Sequence, residues 1–558
     1  MIISDEQLKS LLIKDKLLEE KQLNDILEYV KNSNISLAEA LTERDLLSDE
    51  NIGLVTADFL HIPFIVLAKT AIAEDVYHIV PEKTARKYKI IAFARDQKGI
   101  KLAMADPRNK EIQEMIVKKT GDKVTSYYAT ERDIDNTFRI FRKDLQKAFD
   151  AMLAVSPKSD AAGGISTAKI VDMIIDYAYQ DKASDIHIEP EENNSLVRYR
   201  IDGILHDVLY LPKTLHDQVV TRIKVLSKLR TDEHYTAQDG KLRVPLVEEN
   251  LDIRVSILPI SEGEKVVLRL LSSKSRKFSL IELGMSEQDL KKVTKGYQRS
   301  YGMVLSTGPT GSGKTTSIYS ILKILNTREK NITTIEDPVE YRIKGVNQIQ
   351  VNTRTDLTFA NGLRSILRQD PNIVFVGEIR DNETAGIAVN AALTGHLVLS
   401  TLHTNDAATA LPRLIDMKVE PFLVASTVNI IFAHRLLRKI CEMCKESVNV
   451  EISTLAANLP IKSLRKHFGE KAEARIYQGK GCKVCHMTGY AGRVGIFEVL
   501  EISKEIRRLI TQKSDADVLV KQAVEEGMST MLDDGLDKVA RGTTSIEEVL
   551  RVTKIDSV

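Results

Sequence analysis

The 558-residue sequence lacks the features of an exported or membrane-inserted chain. It has no uninterrupted apolar run of about 18 residues, which a transmembrane helix needs. Met1 is not followed by the charged, apolar and small-residue regions of a signal peptide. Only four cysteines are present, all between residues 441 and 485, too few and too local for a disulfide-stapled secreted fold. These absences predict a cytoplasmic protein.

The sequence also lacks an excess of charge of one sign. Lys and Arg total 79 and Asp and Glu total 78, so the net charge of +1 gives no indication of a nucleic-acid partner. Apolar residues make up 43% and charged residues 28%, which is ordinary for a globular protein. Because the chain is too long for one hydrophobic core, we expect two to four domains.

Residues 1–150 form the first predicted domain, which is α-rich. Five apolar residues recur at a constant offset of 29, with Leu8, Leu12, Leu17, Leu18 and Leu23 matching Leu37, Leu41, Leu46, Leu47 and Ile52. The repeat predicts two similar amphipathic helical units that pack together. Farther along, "IIAFARDQKGIKLAMADP" predicts two strands joined by a Gln-Lys-Gly turn.

A linker and a second domain follow. Residues 151–167 contain "SPKSDAAGGIST", which is small, polar and glycine-rich and predicts a flexible linker. Residues 168–285 contain the helical "AKIVDMIIDYAYQ" and then "SDIHIEP", "SLVRYRIDGIL", "LDIRVSILP" and "EKVVLRLL", which predict an α+β domain. Asp185, His187 and Glu189 share one face of their strand, because side chains alternate with period two. We expect a polar strip facing solvent or an interface there, with a metal site as the alternative.

Residues 286–558 contain the predicted nucleotide site. Helical patterns alternate with "GMVLSTG", "NITTIED", "NIVFVGE" and "HLVLSTL", which is typical of a parallel sheet wrapped by helices. "GPTGSGKT" satisfies G-x-x-x-x-G-K-[ST] between a strand and a helical segment. Its N–H groups and helix N-terminus should hold phosphates, with Lys314 at the β- and γ-phosphates and the Thr315 hydroxyl on Mg²⁺. The predicted nucleotide-binding loop comprises Gly308, Pro309, Thr310, Gly311, Ser312, Gly313, Lys314, Thr315 and Thr316.

ATP hydrolysis also needs carboxylates at neighbouring strand ends. Glu336 and Asp337 end one strand, and Glu378 ends another. The second strand resembles a Walker B strand, although Gly377 stands where many such motors carry the metal-binding Asp. We interpret Glu336 as the general base or water-orienting group and Glu378 as the metal-side carboxylate, with exchanged roles as the alternative.

Histidines and arginines complete the predicted site, in which His403 and the arginines join the catalytic residues, and His396 and Asp337 join the nucleotide-binding residues. His396 precedes the strand "LVLSTL" and His403 follows it, where groups that sense the γ-phosphate belong; a structural role is the alternative. Arginines that stabilise the transferred phosphoryl group often come from another domain or subunit. Arg254 and Arg269, on strands of the second domain, are the candidates.

Two cysteine pairs predict a metal site. "CEMC" (Cys441 and Cys444) and "CKVC" (Cys482 and Cys485) are separated by 37 residues. Four thiolates in this pattern suit structural Zn²⁺ in a closed tetrahedral site. A redox pair and four unliganded core thiols are the alternatives.

Several segments together resemble the secretion ATPases, the motors of type II secretion and type IV pilus assembly. They are "SDIHIEP", "RYRIDG", "GPTGSGKTT", "IEDPVEY", "LRSILRQDPNIVFVGEIRDNETA", "TGHLVLSTLHTNDA" and the cysteine segment, and the resemblance covers nearly all of residues 166–558. It implies a multidomain α/β protein with a RecA-like P-loop motor domain, a preceding α+β (PAS-like) domain and an α-rich N-terminal domain. The cysteines then belong to a zinc-binding insertion in the motor domain, at about residues 435–500.

The resemblance also implies an activity and residue roles. The family forms hexameric rings that use ATP to assemble filaments through an inner-membrane platform protein, peripherally at the inner face of the membrane. Matched residue by residue, the family's motifs are the Walker A Lys314 and Thr315, the Asp-box Glu336 and Asp337, the Walker B Glu378, the His-box His396 and His403, and the phosphate-approaching Arg254 and Arg269.

The N-terminal repeat is similar to the family's paired cyclic di-GMP motif but departs from it. Where that motif begins Arg-Leu-Gly, this chain has Gln7-Leu8-Lys9 and Ser36-Leu37-Ala38. We therefore expect this region to dock to a partner at the membrane rather than to bind cyclic di-GMP.

Two rival functions stay open at this point. A P-loop nucleic-acid translocase would share the phosphate loop and the ring, but the cysteine segment lacks a basic-aromatic stacking platform. A nucleotide-gated scaffold that hydrolyses little ATP is suggested by Gly377, whereas the combination of Glu336, Glu378 and His403 argues against it.

Overall fold

Four β-sheets organise the part of the chain that the computed structural model describes. The described residues are 2–553 except 16, 19–21, 24, 28–29, 31–34, 44–45, 142–144, 156–165, 247–248 and 273–278. No described helix is both long and apolar enough to cross a bilayer.

The N-terminal repeat builds a small helical core. Its helices are Asp5–Lys14, Leu37–Glu43 and Asp49–Leu60. Leu8 and Leu12 lie four residues apart on one helical face and pack, fully buried, in one apolar cluster with Leu37 and Leu41. The predicted packing of two similar helical units is confirmed, although Leu17 is 40% exposed.

The rest of the first domain is an α/β unit. Its strands are β1 (Ile90–Asp96), β2 (Gly99–Met104) and β3 (Val124–Tyr128), in the order β1-β2-β3. The predicted hairpin is confirmed, because β1 and β2 pair antiparallel across the Gln97-Lys98 turn. The surrounding helices are Glu74–Tyr77, Glu82–Tyr88, Lys110–Thr120 and Glu131–Thr137.

The boundary after the first domain differs from the prediction. Helix Leu145–Val155 covers the beginning of the predicted linker, and most of the rest of that segment lies outside the described residues. Leu145 and Phe149 pack into the core of the second domain. In packing terms this helix therefore belongs with the second domain rather than the first.

The second domain is a six-stranded antiparallel sheet covered by helices Thr167–Gln180 and Lys213–Leu226. The strands are β4 (Asp185–Pro190), β5 (Asn194–Ile201), β6 (Ile204–Pro212), β7 (Gln238–Pro245), β8 (Asn250–Ile260) and β9 (Gly263–Leu271). Their order is β6-β5-β4-β9-β8-β7. The segment "SLVRYRIDGIL", predicted as one strand, is two strands, because Asp202 and Gly203 adopt positive φ angles and turn the chain. β7 was missed by the sequence reading.

The polar strip on β4 is an ion-pair ladder. Asp185 contacts Arg269 of β9 at 2.9 Å, and Glu189 contacts Lys265 of β9 at 2.6 Å. Arg198 of β5 also pairs with Glu189. The predicted polar strip is confirmed, and no group of three or more metal-binding side chains forms there among the described residues.

The third domain contains a seven-stranded sheet. Its chain segment holds β10 (Gly302–Thr307), β11 (Ile332–Glu336), β12 (Asn347–Gln350), β13 (Ile373–Val376), β14 (Leu397–Leu402), β15 (Val428–Ile440), β16 (Lys445–Glu451), β17 (Glu473–Gly479) and β18 (Tyr490–Glu501). The main sheet runs β12-β11-β13-β14-β10-β15-β18, and all neighbours pair in parallel except β18, which is antiparallel to β15. The carboxyl ends of β10, β11, β13 and β14 therefore meet at one edge, as predicted.

Helices cover both faces of this sheet and form two apolar clusters. They are Glu287–Tyr297, Lys314–Leu325, Phe359–Ile366, Asn382–Leu393, Ala410–Asp416 and Pro421–Thr427. Between β15 and β18, the β16–β17 hairpin and helices Ile452–Ala456 and Ile461–Phe468 form an insertion. The chain continues through helices Lys504–Thr511, Ala516–Glu525, Met531–Ala540 and Ile546–Val552.

Candidate nucleotide site and cysteine cluster

The phosphate loop joins β10, which lies between β14 and β15 inside the sheet, to helix Lys314–Leu325. Gly308 and Gly313 adopt φ angles of 147° and 100°, which residues other than glycine rarely adopt. A Cβ at Gly308 would also lie 2.6 Å from the carbonyl oxygen of His434 on β15. Gly313 caps the helix, so the first turn directs its free N–H groups toward the loop. This geometry fits a phosphate group.

Lys314 supplies a partly buried positive charge in this loop. Its ammonium donates to the carbonyl oxygens of Gly308 at 2.8 Å and Pro309 at 3.0 Å. Burial lowers the pKa of Lys314, and the nearby Glu378 carboxylate opposes that shift. Thr315 and Thr316 lie half-buried in the first helical turn, and the Thr315 hydroxyl is the loop's candidate Mg²⁺ ligand.

Glu378 and His403 meet at the edge of the sheet that carries this loop. Glu378 follows β13 and His403 follows β14, and Glu378 Oε2 lies 3.2 Å from His403 Nε2. The other carboxylate oxygen pairs with Arg380 at 2.8 Å. The structure thus brings Glu378, His403 and Lys314 together. Sequence reasoning assigned no role to Arg380, although it stands two residues after Glu378.

Glu336 is engaged in a different network. Its side chain is buried and accepts hydrogen bonds from Tyr319, from Thr334 at 2.6 Å and from Gln348 at 3.2 Å. Burial raises the pKa of Glu336, and these donors partly offset the shift. Both carboxylate oxygens therefore have partners from the protein itself. The oxygens of Glu378 are paired as well, but with the more exposed His403 and Arg380, whereas Glu336 is itself buried. We therefore predict that Glu378 rather than Glu336 orients the attacking water.

Tyr319 and Gln348 were missed by sequence reasoning. Tyr319 lies on the helix that follows the loop, and Gln348 lies on β12 beside β11. Periodicity places both in packed elements but does not indicate their common carboxylate partner. Asp337, the next residue after Glu336, is exposed.

Gly377 stands at the position that carries Asp in many P-loop motors, and its surroundings explain the difference. A Cβ at Gly377 would lie 3.2 Å from both the Cα of Glu336 and the carbonyl oxygen of Ile335. β11 therefore lies too close for a longer side chain without displacement. Glycine at this position thus avoids a tight contact with β11, and its presence does not by itself argue against hydrolysis.

The two histidines lie at opposite ends of β14. His403 follows its carboxyl end, whereas His396 precedes its amino end and bonds through Nδ1 to the carbonyl oxygen of Ala391 at 3.0 Å. Because the phosphate loop lies at the carboxyl end of the parallel sheet, His396 is not brought to the loop of its own chain. The grouping of His396 with the nucleotide-binding residues is corrected to this extent.

The two candidate arginines also separate. Arg254 of β8 reaches the motor domain, where it donates to the carbonyl oxygen of Val339 at 3.2 Å and lies 3.6 Å from Glu340. Arg269 of β9 pairs with Asp185 within its own domain. Of the two, Arg254 contacts the segment that follows Glu336, and within the described part of the chain neither arginine has a contact with the phosphate loop.

A buried carboxyl group supports the loop that contains His403. Glu498 of β18 is 6% exposed and accepts a hydrogen bond from the backbone N–H of Ala407 at 3.0 Å. Burial and the neighbouring Asp406 raise the pKa of Glu498 to about 7, while N–H donors from Ala407 and Met531 oppose the shift. Glu498 therefore links the loop after β14 to the start of helix Met531–Ala540.

We expect Glu498→Gln to stabilise the protein relative to the wild type, by an amount that grows as the pH rises. Between the unfolded-state value of about 4.5 and the folded-state value of about 7, the folded chain keeps a proton that the unfolded chain loses. Stability from this group is complete below pH 4.5 and falls with rising pH, by up to about 3 kcal/mol. The variant's unfolding midpoint should equal that of the wild type near pH 4 and exceed it at pH 8. Glu501→Gln on the same strand is the control, and a midpoint difference independent of pH would contradict the expectation.

The four cysteines form one cluster. Their Sγ atoms all lie within 4.8 Å of one another, with Cys441–Cys482 and Cys444–Cys485 separations of 3.9 Å. Four thiolates about 2.3 Å from a tetrahedral zinc ion are about 3.8 Å apart, so the spacing fits that metal. Cys485 also accepts hydrogen bonds from the N–H groups of Cys482 and Gly489. The cysteines are free thiols in this arrangement rather than disulfides.

Two protein-family models match this sequence, and together they cover most of the chain. The family model described as "Type II/IV secretion system protein" matches residues 160–551. The model of the MshEN domain matches residues 60–146. The second match begins after the helical repeat, so Gln7-Leu8-Lys9 and Ser36-Leu37-Ala38 lie outside it.

Individual proteins give the same result. The "Type IV pilus assembly ATPase PilB" of Myxococcus xanthus is 35% identical over 568 residues, covering 99% of both chains. The "Type II secretion system protein HxcR" of Pseudomonas aeruginosa is 44% identical over 411 residues, covering 74% of this chain and 82% of the relative. Among solved structures, the ATPase DotB of Legionella pneumophila has a TM-score of 0.51 at 20% identity, covers 70% of this chain and 97% of DotB, and shows a shared fold.

Proposed function

This chain belongs to the type II/IV secretion ATPase family and is an ATP-hydrolysing P-loop motor, and we propose that it drives assembly of type IV pili or type II secretion pseudopili. The convergence of Lys314, Glu378 and His403 beside the phosphate loop carries the proposal, because it supplies the charge and the carboxylate that hydrolysis needs. The similarity to a pilus assembly ATPase covers 99% of both chains. This similarity supports filament assembly as the task that ATP hydrolysis drives.

The chain's residues divide the chemical task. Backbone N–H groups of the loop hold the phosphates, and Lys314 neutralises charge at the β- and γ-phosphates. The Thr315 hydroxyl would hold Mg²⁺, which would supply positive charge against the phosphates when bound. Glu378 orients the attacking water, and His403 holds Glu378 and senses the γ-phosphate. Glu336 fixes the end of β11 through its bonds to Tyr319 and Gln348.

In this proposal the second domain moves when ATP is hydrolysed. The contact of Arg254 with Val339 ties this domain to the segment following Glu336, so movement of that segment displaces β8. In the proposed homohexamer, Arg254 and Arg269 contribute positive charge near a neighbouring subunit's nucleotide. The ring works at the inner face of the cell membrane, where it acts on an inner-membrane platform protein.

Two further assignments complete the proposal. Cys441, Cys444, Cys482 and Cys485 hold structural Zn²⁺, since their spacing and the N–H donors to Cys485 suit four thiolates. The N-terminal domain docks to a partner at the membrane. Docking is favoured over cyclic di-GMP binding, because both segments of its helical repeat depart from the Arg-Leu-Gly start of that motif.

The test is steady-state ATP turnover of size-fractionated protein. We expect activity confined to the hexamer fraction and raised by the cytoplasmic domain of the platform protein, because neighbouring subunits supply the missing arginine charge. Single-stranded DNA is the control ligand and should change nothing. Stimulation by DNA alone would favour a translocase, and a well-formed hexamer with negligible turnover would favour a nucleotide-gated scaffold.

A further inference from the structure

His434 lies directly beneath the phosphate loop although it is distant from the loop in sequence. It belongs to β15, which pairs with β10 in parallel, and it is 2% exposed. Its carbonyl oxygen approaches Gly308 so closely that no side chain fits there, and its ring carbon Cε1 lies 3.3 Å from where a Cβ of Gly313 would stand. One residue thus supports both ends of the glycine-rich turn.

The imidazole of His434 also connects the elements on either side of the loop. Its Nε2 lies 3.4 Å from the hydroxyl of Ser306 at the end of β10 and 3.5 Å from that of Ser317 on the following helix. A backbone hydrogen bond with Ser312 in the loop favours a proton on the ring. In the neutral tautomer with its proton on Nδ1, Nδ1–H donates to the backbone of Ser312 while the single lone pair of Nε2 accepts from the hydroxyl of Ser306 or of Ser317, one at a time.

The surroundings fix the orientation of this ring. Phe432, two residues earlier on the same strand face, stacks at 23°, and Phe497, directly opposite on β18, stacks at 21° with its centroid 5.2 Å away. Stacked aromatic neighbours restrict rotation of the imidazole about its side-chain bonds. The ring nitrogens therefore keep their directions toward Ser306, Ser317 and Ser312.

The environment also keeps the ring uncharged. Burial and, to a smaller extent, the positive charge of Lys314 together lower the pKa of His434 to about 3. A neutral ring adds no positive charge that would compete with Lys314, and it does not take up or release protons near neutral pH. Acid–base chemistry by His434 is therefore not expected.

We propose that His434 is a positioning residue for the nucleotide, holding β10, the phosphate loop and the following helix in the geometry that binds phosphate. The inference rests on the proposed ATPase site, and it deepens that proposal by naming a residue outside the P-loop motif. A single neutral side chain touching the strand, the loop and the helix carries it. Loss of its nitrogens should loosen the loop without removing any group that contacts ATP.

The test compares His434→Phe with His434→Gln. The Phe variant keeps the aromatic packing but loses both nitrogens, and we expect its dissociation constant for a fluorescent ADP analogue and its KM for ATP to rise about tenfold, with a smaller change in kcat. The Gln variant keeps one donor and one acceptor and should stay within about threefold of wild type. The pH profile of kcat/KM should be unchanged in both variants.

His216→Gln is the matched control, since His216 is an equally buried histidine in the second domain that bonds Ser195 and the carbonyl oxygen of Glu264. It should shift the unfolding midpoint without changing ADP affinity. Wild-type ADP affinity in His434→Phe, or equal affinity losses in the Phe and Gln variants, would overturn the inference. A wild-type chain that binds ADP but does not hydrolyse ATP would refute the proposed motor function, while the affinity series would still decide the role of His434.

Discussion

Glu378→Gln is expected to lower the ATP turnover number at least about a hundredfold while leaving nucleotide affinity nearly unchanged. Glu378 lies beside His403, and it is close enough to Lys314 to oppose the lowering of the Lys314 pKa. The glutamine amide of the variant cannot accept a proton from water as the carboxylate can. The measurements are kcat from steady-state hydrolysis and the dissociation constant of a fluorescent ADP analogue. Because the change removes one charge but keeps shape and polarity, folding should persist.

Glu336→Gln is the matched control for this prediction. Glu336 accepts hydrogen bonds from Tyr319, Thr334 and Gln348, so its replacement amide would face one of these donors with its own NH₂ group. We expect a lower unfolding midpoint and a smaller loss of turnover than in Glu378→Gln. Normal turnover in Glu378→Gln, together with lost turnover at an unchanged midpoint in Glu336→Gln, would return the base to Glu336.

Short-range patterns account for what the sequence predicted of this site. The P-loop glycines, Lys314 and the two flanking elements are contiguous, and the β1–β2 hairpin is likewise local. Glu378 and His403 each follow a predicted parallel strand. Because the carboxyl ends of such strands meet at one edge of the sheet, the sequence also predicted that these two residues lie at the same edge. The same rule already implied that His396, before β14, lies at the opposite edge.

Long-range side-chain partners were beyond the sequence. Nothing in the pattern around Glu336 indicates that Tyr319 and Gln348 occupy its oxygens, because the three residues come from separate elements. Arg269 reads as a free cation on its strand, yet Asp185 on the neighbouring strand is its partner. Helix Leu145–Val155 has an amphipathic pattern that predicts burial but not which domain it packs against.

Cys441→Ser combined with Cys444→Ser is expected to remove one zinc ion per chain and to lower the free energy of unfolding by at least about 3 kcal/mol, since metal binding is part of the folding energy of such sites. β15 carries His434 beneath the phosphate loop, and it ends at Ile440, directly before Cys441. Loss of the metal therefore releases the end of a strand that supports the nucleotide. ADP affinity should fall together with stability. Zinc is measured by atomic emission on desalted protein.

Ser447→Ala, an exposed change on the neighbouring strand β16, is the control and should keep both zinc and stability. Zinc content that is unchanged in the double variant would contradict the cluster as the binding site. A wild-type chain purified with zinc in the medium but carrying none would contradict the metal itself. The four thiols would then be a reduced core cluster, and mild oxidation should join pairs of them, because their Sγ atoms already lie 3.7–3.9 Å apart. In the zinc-bound protein the same treatment should leave them unreacted, so the two outcomes separate structural metal from free thiols.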